Sequence, residues 1–211
     1  RSGQNIVDAT SSTLLLGDTD VGKGISVTIS YVDSRGSAES IMSAVSAPVI
    51  NVNDPLVGVV AISGTPTEDQ QLSADTNGIS DADGLGIFSY QWLRDDVNVD
   101  GANTSTYFLG DQDVAKTLSL VVSYLDANGT AESTTSAASA AITSVNDTPV
   151  GSPSISGDAI EDQTLTAITT EISDADGIGT FSYQWLRADQ PIIGATSPDY
   201  SPEDDDVDST I

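Results

Sequence analysis

The chain of 211 residues has no cysteine and no histidine, and only six basic side chains stand against 32 acidic ones. Without thiols there is no disulfide, so packing or a bound ligand must hold any fold together. Without thiols and imidazoles, the ligand sets preferred by zinc and copper are missing, and so are the common nucleophile–base pairs of hydrolytic enzymes. A formal charge of −26 excludes ordinary nucleic-acid binding, where a basic face supplies much of the affinity. It equally disfavours docking on an anionic membrane, and the natural partner of such a field is a cation. No apolar run reaches the roughly 18 residues expected of a membrane helix, and no secretory leader is legible at Arg1. Aromatics make up only 5%, a composition that is compatible with disorder unless the apolar residues are placed in order.

They are placed in order, with a period of two. Phe88, Tyr90 and Trp92 alternate with Ser89 and Gln91; Leu118, Leu120, Val122 and Tyr124 follow the same rule, as do Ile25, Val27, Ile29 and Tyr31. Alternation rich in β-branched and aromatic residues predicts half-buried antiparallel strands. Turn signals at Gly64-Thr-Pro66, Asp83-Gly84, Asp100-Gly101 and Asn128-Gly129 separate them. No amphipathic helix is legible.

The organising feature is an internal repeat of 93 residues. Ser80-Asp-Ala-Asp-Gly84 recurs at Ser173–Gly177, Phe88-Ser-Tyr-Gln-Trp-Leu-Arg94 at Phe181–Arg187, Glu68-Asp-Gln70 at Glu161–Gln163, and Val52-Asn-Asp54 at Val145–Asp147, each at that same offset. Residues 55–147 form one complete unit, residues 1–54 the back of a preceding one, and residues 148–211 the front of a following one. The expected fold class is all-β: tandem immunoglobulin-like β-sandwich repeats of 93 residues, end to end. Strands are expected at 57–63, 70–75, 87–94, 97–99, 106–109, 118–125 and 132–142, with Trp92 and Trp185 in the cores. Asp113-Val-Ala115 resembles the corner that leads into the sixth strand of such domains.

On that frame the acidic residues gather at the two ends of each unit. Asp81 and Asp83, with Asp126 and Asn128, fall in two loops at the end where the first strand begins. Glu68 and Asp69, with Asp111 and Asp113 at the corner, fall at the opposite end, from which Asn146 and Asp147 lead onward. Stacking the units would gather Glu68, Asp69, Asn146, Asp147, Asp174 and Asp176 at the later seam. The earlier seam would hold Asn53, Asp54, Asp81 and Asp83, with Asp33 or Asp126 nearby. Glu161 and Asp162 repeat the Glu68-Asp69 pair for a further seam. Six to eight oxygen ligands suit Ca2+, and carboxylates crowded without a cation repel one another. The plainer alternative is turn chemistry, in which Asp-Gly and Asn-Asp-Pro simply reverse the chain and Asp113 braces its corner.

Two groups of residues carry a resemblance. Asn51-Val-Asn-Asp-Pro55, with the Glu-Asp loop before it and Asp-Ala-Asp after it, is similar to cadherin junctions. The whole set of repeated motifs resembles the bacterial Ig-like extender repeats of giant RTX adhesins of Gram-negative bacteria, across essentially the whole chain. That resemblance implies type I secretion, an extracellular or cell-surface location, neighbouring repeats as partners, and junction Ca2+ that stiffens a rod projecting distal binding domains. The second linker departs from the first by one residue, Asn-Asp-Thr-Pro149 against Asn-Asp-Pro55. A glycan- or protein-binding module is the alternative function, and Tyr107 and Tyr200 are its candidate exposed aromatics. Catalysis is not expected, because carboxylate pairs copied every 93 residues suit a structural role better than an active site. The partial units at the two ends also suggest head-to-tail complementation between molecules.

Overall fold

The computed structural model describes residues 1–211, which divide into two compact units, Arg1–Thr143 and Ser144–Ile211. Its regular elements are almost all short antiparallel strands, with single 3-10 turns at Asp18–Asp20, Asp111–Asp113 and Asp204–Asp206.

In the first unit, β1 (Thr28–Val32) and β2 (Ala38–Met42) make a hairpin. Its turn is held by Asp33, whose Oδ1 accepts the backbone N–H groups of Arg35 and Ser37 at 2.9 and 2.8 Å. Both of its faces are exposed. The following strands are β3 (Ala61–Ser63), β4 (Gln71–Asp75), β5 (Ser89–Arg94), β6 (Val97–Asn98), β7 (Thr106–Phe108), β8 (Leu118–Leu125) and β9 (Ala131–Thr135). They form two sheets, of order β3-β4-β7 and β6-β5-β8-β9. One apolar core takes Leu72 from the first sheet and Trp92, Leu118, Leu120 and Val122 from the second. The alternation read from the sequence is the cause: every second residue of β5 and β8 turns toward that core. Trp92 is fully buried, and its indole N–H donates to the Thr104 carbonyl at 2.9 Å, so its one polar atom is satisfied.

Two strands are shorter than expected, for identifiable reasons. The strand expected at 132–142 ends at Thr135, because the hydroxyls of Ser136 and Ser139 accept the N–H groups of Leu120 and Leu118 at 3.0 and 2.9 Å. A side-chain oxygen there takes a place in the ladder that a carbonyl would fill. The strand expected at 57–63 begins at Ala61, since Gly58 has a φ of 95°, a left-handed conformation that leaves only an isolated bridge, Val57 to Ser80, upstream.

The second unit contains β10 (Ser154–Ser156), β11 (Leu165–Ile168) and β14 (Asp199–Tyr200) in one sheet, and the hairpin of β12 (Leu186–Arg187) and β13 (Gln190–Pro191). These are copies of β3, β4, β7, β5 and β6. Leu165 and Trp185 are buried, and Trp185 donates to the Ser197 carbonyl at 2.9 Å, as its copy does one repeat earlier.

Candidate metal centre

Acidic side chains in this protein take two roles, and position within the corner separates them. The last residue of each 3-10 turn is a brace. Asp113 is buried, accepts Arg94 Nε–H at 2.7 Å on Oδ1, and accepts the Gly110 N–H at 3.0 Å on Oδ2. The Tyr107 hydroxyl lies 3.2 Å from both of its oxygens. Arg1–Asp20 and Arg187–Asp206 repeat the ion pair. Burial pushes the Asp206 carboxyl up, but Arg187, the Tyr200 hydroxyl and the Glu203 N–H together hold it down to about 2. These three aspartates are fully engaged by hydrogen bonds and an arginine each, which suits bracing and not ligation.

The first residue of each turn behaves differently. Asp18 lies beside Asp54, and it is the main cause of the raised pKa of the Asp54 carboxyl, ahead of burial and the charges of Asp83 and Asp81. Asp111 and the buried Glu68 place carboxylate oxygens within 4.8 Å of one another. In the second unit Asp204 hydrogen-bonds Glu161, which is the leading cause of the raised Glu161 pKa, ahead of burial and the charge of Asp162. Asp18, Asp111 and Asp204 stand 93 residues apart, as do Glu68 and Glu161, and Asp54 and Asp147. One arrangement is thus seen in overlapping pieces.

The loops around 81 and 126 converge as the sequence predicts. Asp81 Oδ2 accepts the Tyr124 hydroxyl at 2.6 Å, and Asp81 Oδ1 accepts the Asp83 N–H at 2.8 Å. Asp83 Oδ1 accepts Asn128 Nδ2–H at 3.0 Å, while its Oδ2 accepts the Asp54 N–H at 2.8 Å, which ties the linker to the loop. Asp126 Oδ1 accepts the N–H groups of Asn128 and Thr130, each at 2.8 Å, but its buried Oδ2 has no partner. A buried carboxylate oxygen left bare is costly. The donors in this region are carboxylate, amide and carbonyl oxygens, and that set with an orphaned oxygen fits a hard divalent cation.

The remaining predicted ligands divide. Asn53 Nδ2–H donates to Glu132 at 2.9 Å, and Asn146 Nδ2–H to the Asp147 carbonyl at 2.7 Å. Asp176 accepts the Asp147 N–H and the Ser144 hydroxyl at 2.8 and 2.9 Å, and Asp174 accepts the Asp176 N–H at 3.0 Å. Asp69 and Asp162 are exposed and occupy left-handed turn positions, with φ of 61° and 62°. Asp33 closes the β1–β2 turn. Asp18, Asp111 and Asp204 are not among the ligands expected from the sequence. Their signal was present as an aspartate invariant in all three corners, two residues before the brace. No family model matches the chain, and no curated protein or solved structure matches it either.

Proposed function

We propose that this chain is a spacer of tandem immunoglobulin-like repeats, the extender part of a secreted bacterial surface adhesin, and that Ca2+ at the seams between repeats fixes their orientation. The observation that carries the reading is the crowding of Asp54, from the linker, with Asp18 of one repeat and Asp81 and Asp83 of the next, which raises its pKa. A seam built this way is strained by like charges until a cation is shared among them. The orphaned Oδ2 of Asp126 supports the same site. A divalent ion would supply charge neutralisation and cross-linking there, and Asp18, Asp54, Asp81, Asp83 and Asp126 are the residues that would hold it. A short acidic linker ligated at both ends cannot swing as a Gly/Ser tether does, so the array would project whatever lies beyond it. The RTX adhesin resemblance of the repeated motifs points to the cell surface as the setting.

The test is small-angle scattering and thermal unfolding of the chain in calcium and again in chelator. Calcium is expected to narrow the distribution of dimensions and to stabilise each loaded site by about 2.7 kcal/mol at a hundredfold excess over Kd. For a chain of this size that is a melting shift of roughly 5–10 °C. Unchanged dimensions together with an unchanged melting temperature would sink the reading. Asp54→Asn with Asp83→Asn is expected to remove most of the first seam's share of that shift.

A further inference from the structure

The chain contains four ion pairs, Arg1–Asp20, Arg94–Asp113, Arg187–Asp206 and Lys116–Asp95, and Asp81, Asp83 and Asp126 enter none of them. Their charge is held by hydrogen-bond donors alone. Asp81 takes one donor on each oxygen: the Asp83 N–H at 2.8 Å on Oδ1 and the Tyr124 hydroxyl at 2.6 Å on Oδ2. The second distance is that of a charge-assisted O–H···O⁻ bond. We propose that Tyr124 is a positioning residue of the seam: its hydroxyl aims Asp81 at the cation, and its ring fastens the seam to the core of the complete repeat. This role rests on the seam being a calcium site; Tyr124 itself touches no ion.

The core alone does not account for the hydroxyl. Tyr124 closes the alternation of Leu118, Leu120 and Val122 along β8 and is 4% exposed. Its ring meets Phe88 edge-on, with centroids 5.6 Å apart and planes at 90°. A phenylalanine would make the same contact without carrying a polar atom to a buried position, where it must find a partner. The partner it finds is a carboxylate that no cationic side chain meets. Tyr107 also approaches an aspartate, but its hydroxyl lies beside Asp113, whose charge Arg94 already meets. One tyrosine completes a brace, and the other holds a bare carboxylate.

The end of β8 reaches the seam by two further routes. The ladder partner of Tyr124 on β9 is Glu132, and Glu132 Oε1 accepts Asn53 Nδ2–H from the linker at 2.9 Å. Two residues beyond Tyr124, Asp126 keeps its buried Oδ2 without a partner. An outer donor that holds a ligating carboxylate in one orientation raises metal affinity, because the side chain has less freedom left to lose on binding. A hydroxyl does so and leaves the carboxylate its full charge, which an arginine would neutralise. Tyr31 and Asp174 repeat the two partners at the 93-residue offset, whereas Asn128, in the loop after Tyr124, has Arg35 as its copy.

The experiment uses the whole chain, with the Asp83 amide as the reporter of this seam, since that N–H is bonded to Asp81 itself. Tyr124→Phe keeps the ring and removes the donor. In chelator, Asp81 then gains freedom, and the Asp83 amide should exchange with solvent several-fold faster. A residue that only packed the core would leave that rate alone. Calcium titration followed by the NMR shift of the same amide should give a dissociation constant roughly 10–100-fold weaker in the variant. Tyr107→Phe, the control for a general loss of stability, should leave both readouts unchanged. A wild-type amide that does not respond to calcium overturns the calcium reading, and the role of Tyr124 with it. A wild-type response with either readout unchanged in Tyr124→Phe overturns the positioning role alone, and so does an equal loss of affinity in Tyr107→Phe.

Discussion

Arg94 and Asp113 show how much one ion pair decides. Asp113 is almost wholly buried, its charge is met by Arg94 Nε–H, and the guanidinium is itself only 24% exposed. Arg94→Met should leave that carboxylate uncompensated and cost about 3 kcal/mol, the low end for breaking a buried pair, measured by urea unfolding. Asp206 sets a pH dependence of definite sign. Its folded pKa of about 2 lies below the roughly 3.9 of an unfolded aspartate. Its contribution is therefore complete above about pH 4 and lost as pH falls through about 2. Asp54 runs the other way: its folded pKa is raised, so repulsion is present at neutral pH and relieved in acid. Under the proposed function, calcium would compete with those protons, and titration calorimetry should find affinity falling as pH drops toward Asp54's pKa, a fall that Asp54→Asn should flatten. The brace role of Asp113 was legible as a corner motif, but the sequence could not separate it from Asp111. Only the three-dimensional corner shows one aspartate meeting arginine and the other meeting carboxylates.

At the scale of elements, the strands were largely readable because alternation is a property of neighbouring residues. β8 occupies the residues expected from its pattern, and β5 and β4 differ by one or two positions at an end. What was not readable is where a side chain replaces the backbone in the ladder. Ser136→Val should leave the Leu120 N–H without an acceptor at a buried position and cost about 1–3 kcal/mol, with faster amide exchange at Leu120 as the direct readout. The kink before β3 depends on a missing side chain: a Cβ at Gly58 would stand 1.9 Å from the Gly78 carbonyl oxygen, and its copy Gly151 meets the Glu171 carbonyl oxygen at the same distance. Gly58→Ala should therefore destabilise the complete repeat by more than the roughly 1 kcal/mol of lost left-handed freedom alone. Denaturant melts of that variant would check it.

Across the whole molecule the same sequence pattern meets different surroundings, and stability should follow the surroundings. Trp92 is sealed by β8, whereas Trp185 borders an open cleft. Trp92→Ala should cost about 3–5 kcal/mol, and Trp185→Ala markedly less, since fewer atoms there lose contacts; denaturant unfolding followed at the remaining tryptophan compares them. Tyr107 and Tyr200, the aromatics expected to be exposed, are instead half-buried, with ring centroids 5.6 and 5.5 Å from Trp92 and Trp185.

The repeat, its period and the strand pattern were determined by the sequence alone, because identity at a fixed offset and alternation are one-dimensional properties. So was the restriction to oxygen ligands, which follows from the absence of cysteine and histidine. Tertiary structure decided which carboxylates meet. Asp18 and Asp54 are 36 residues apart in the chain and become neighbours only when the corner folds against the linker. It also decided which of the many acids are spent on arginine or turn hydrogen bonds, and which, like Asp126 Oδ2, retain a free oxygen. Carboxylates repel at close range whatever their order in the chain, and only the fold sets that range.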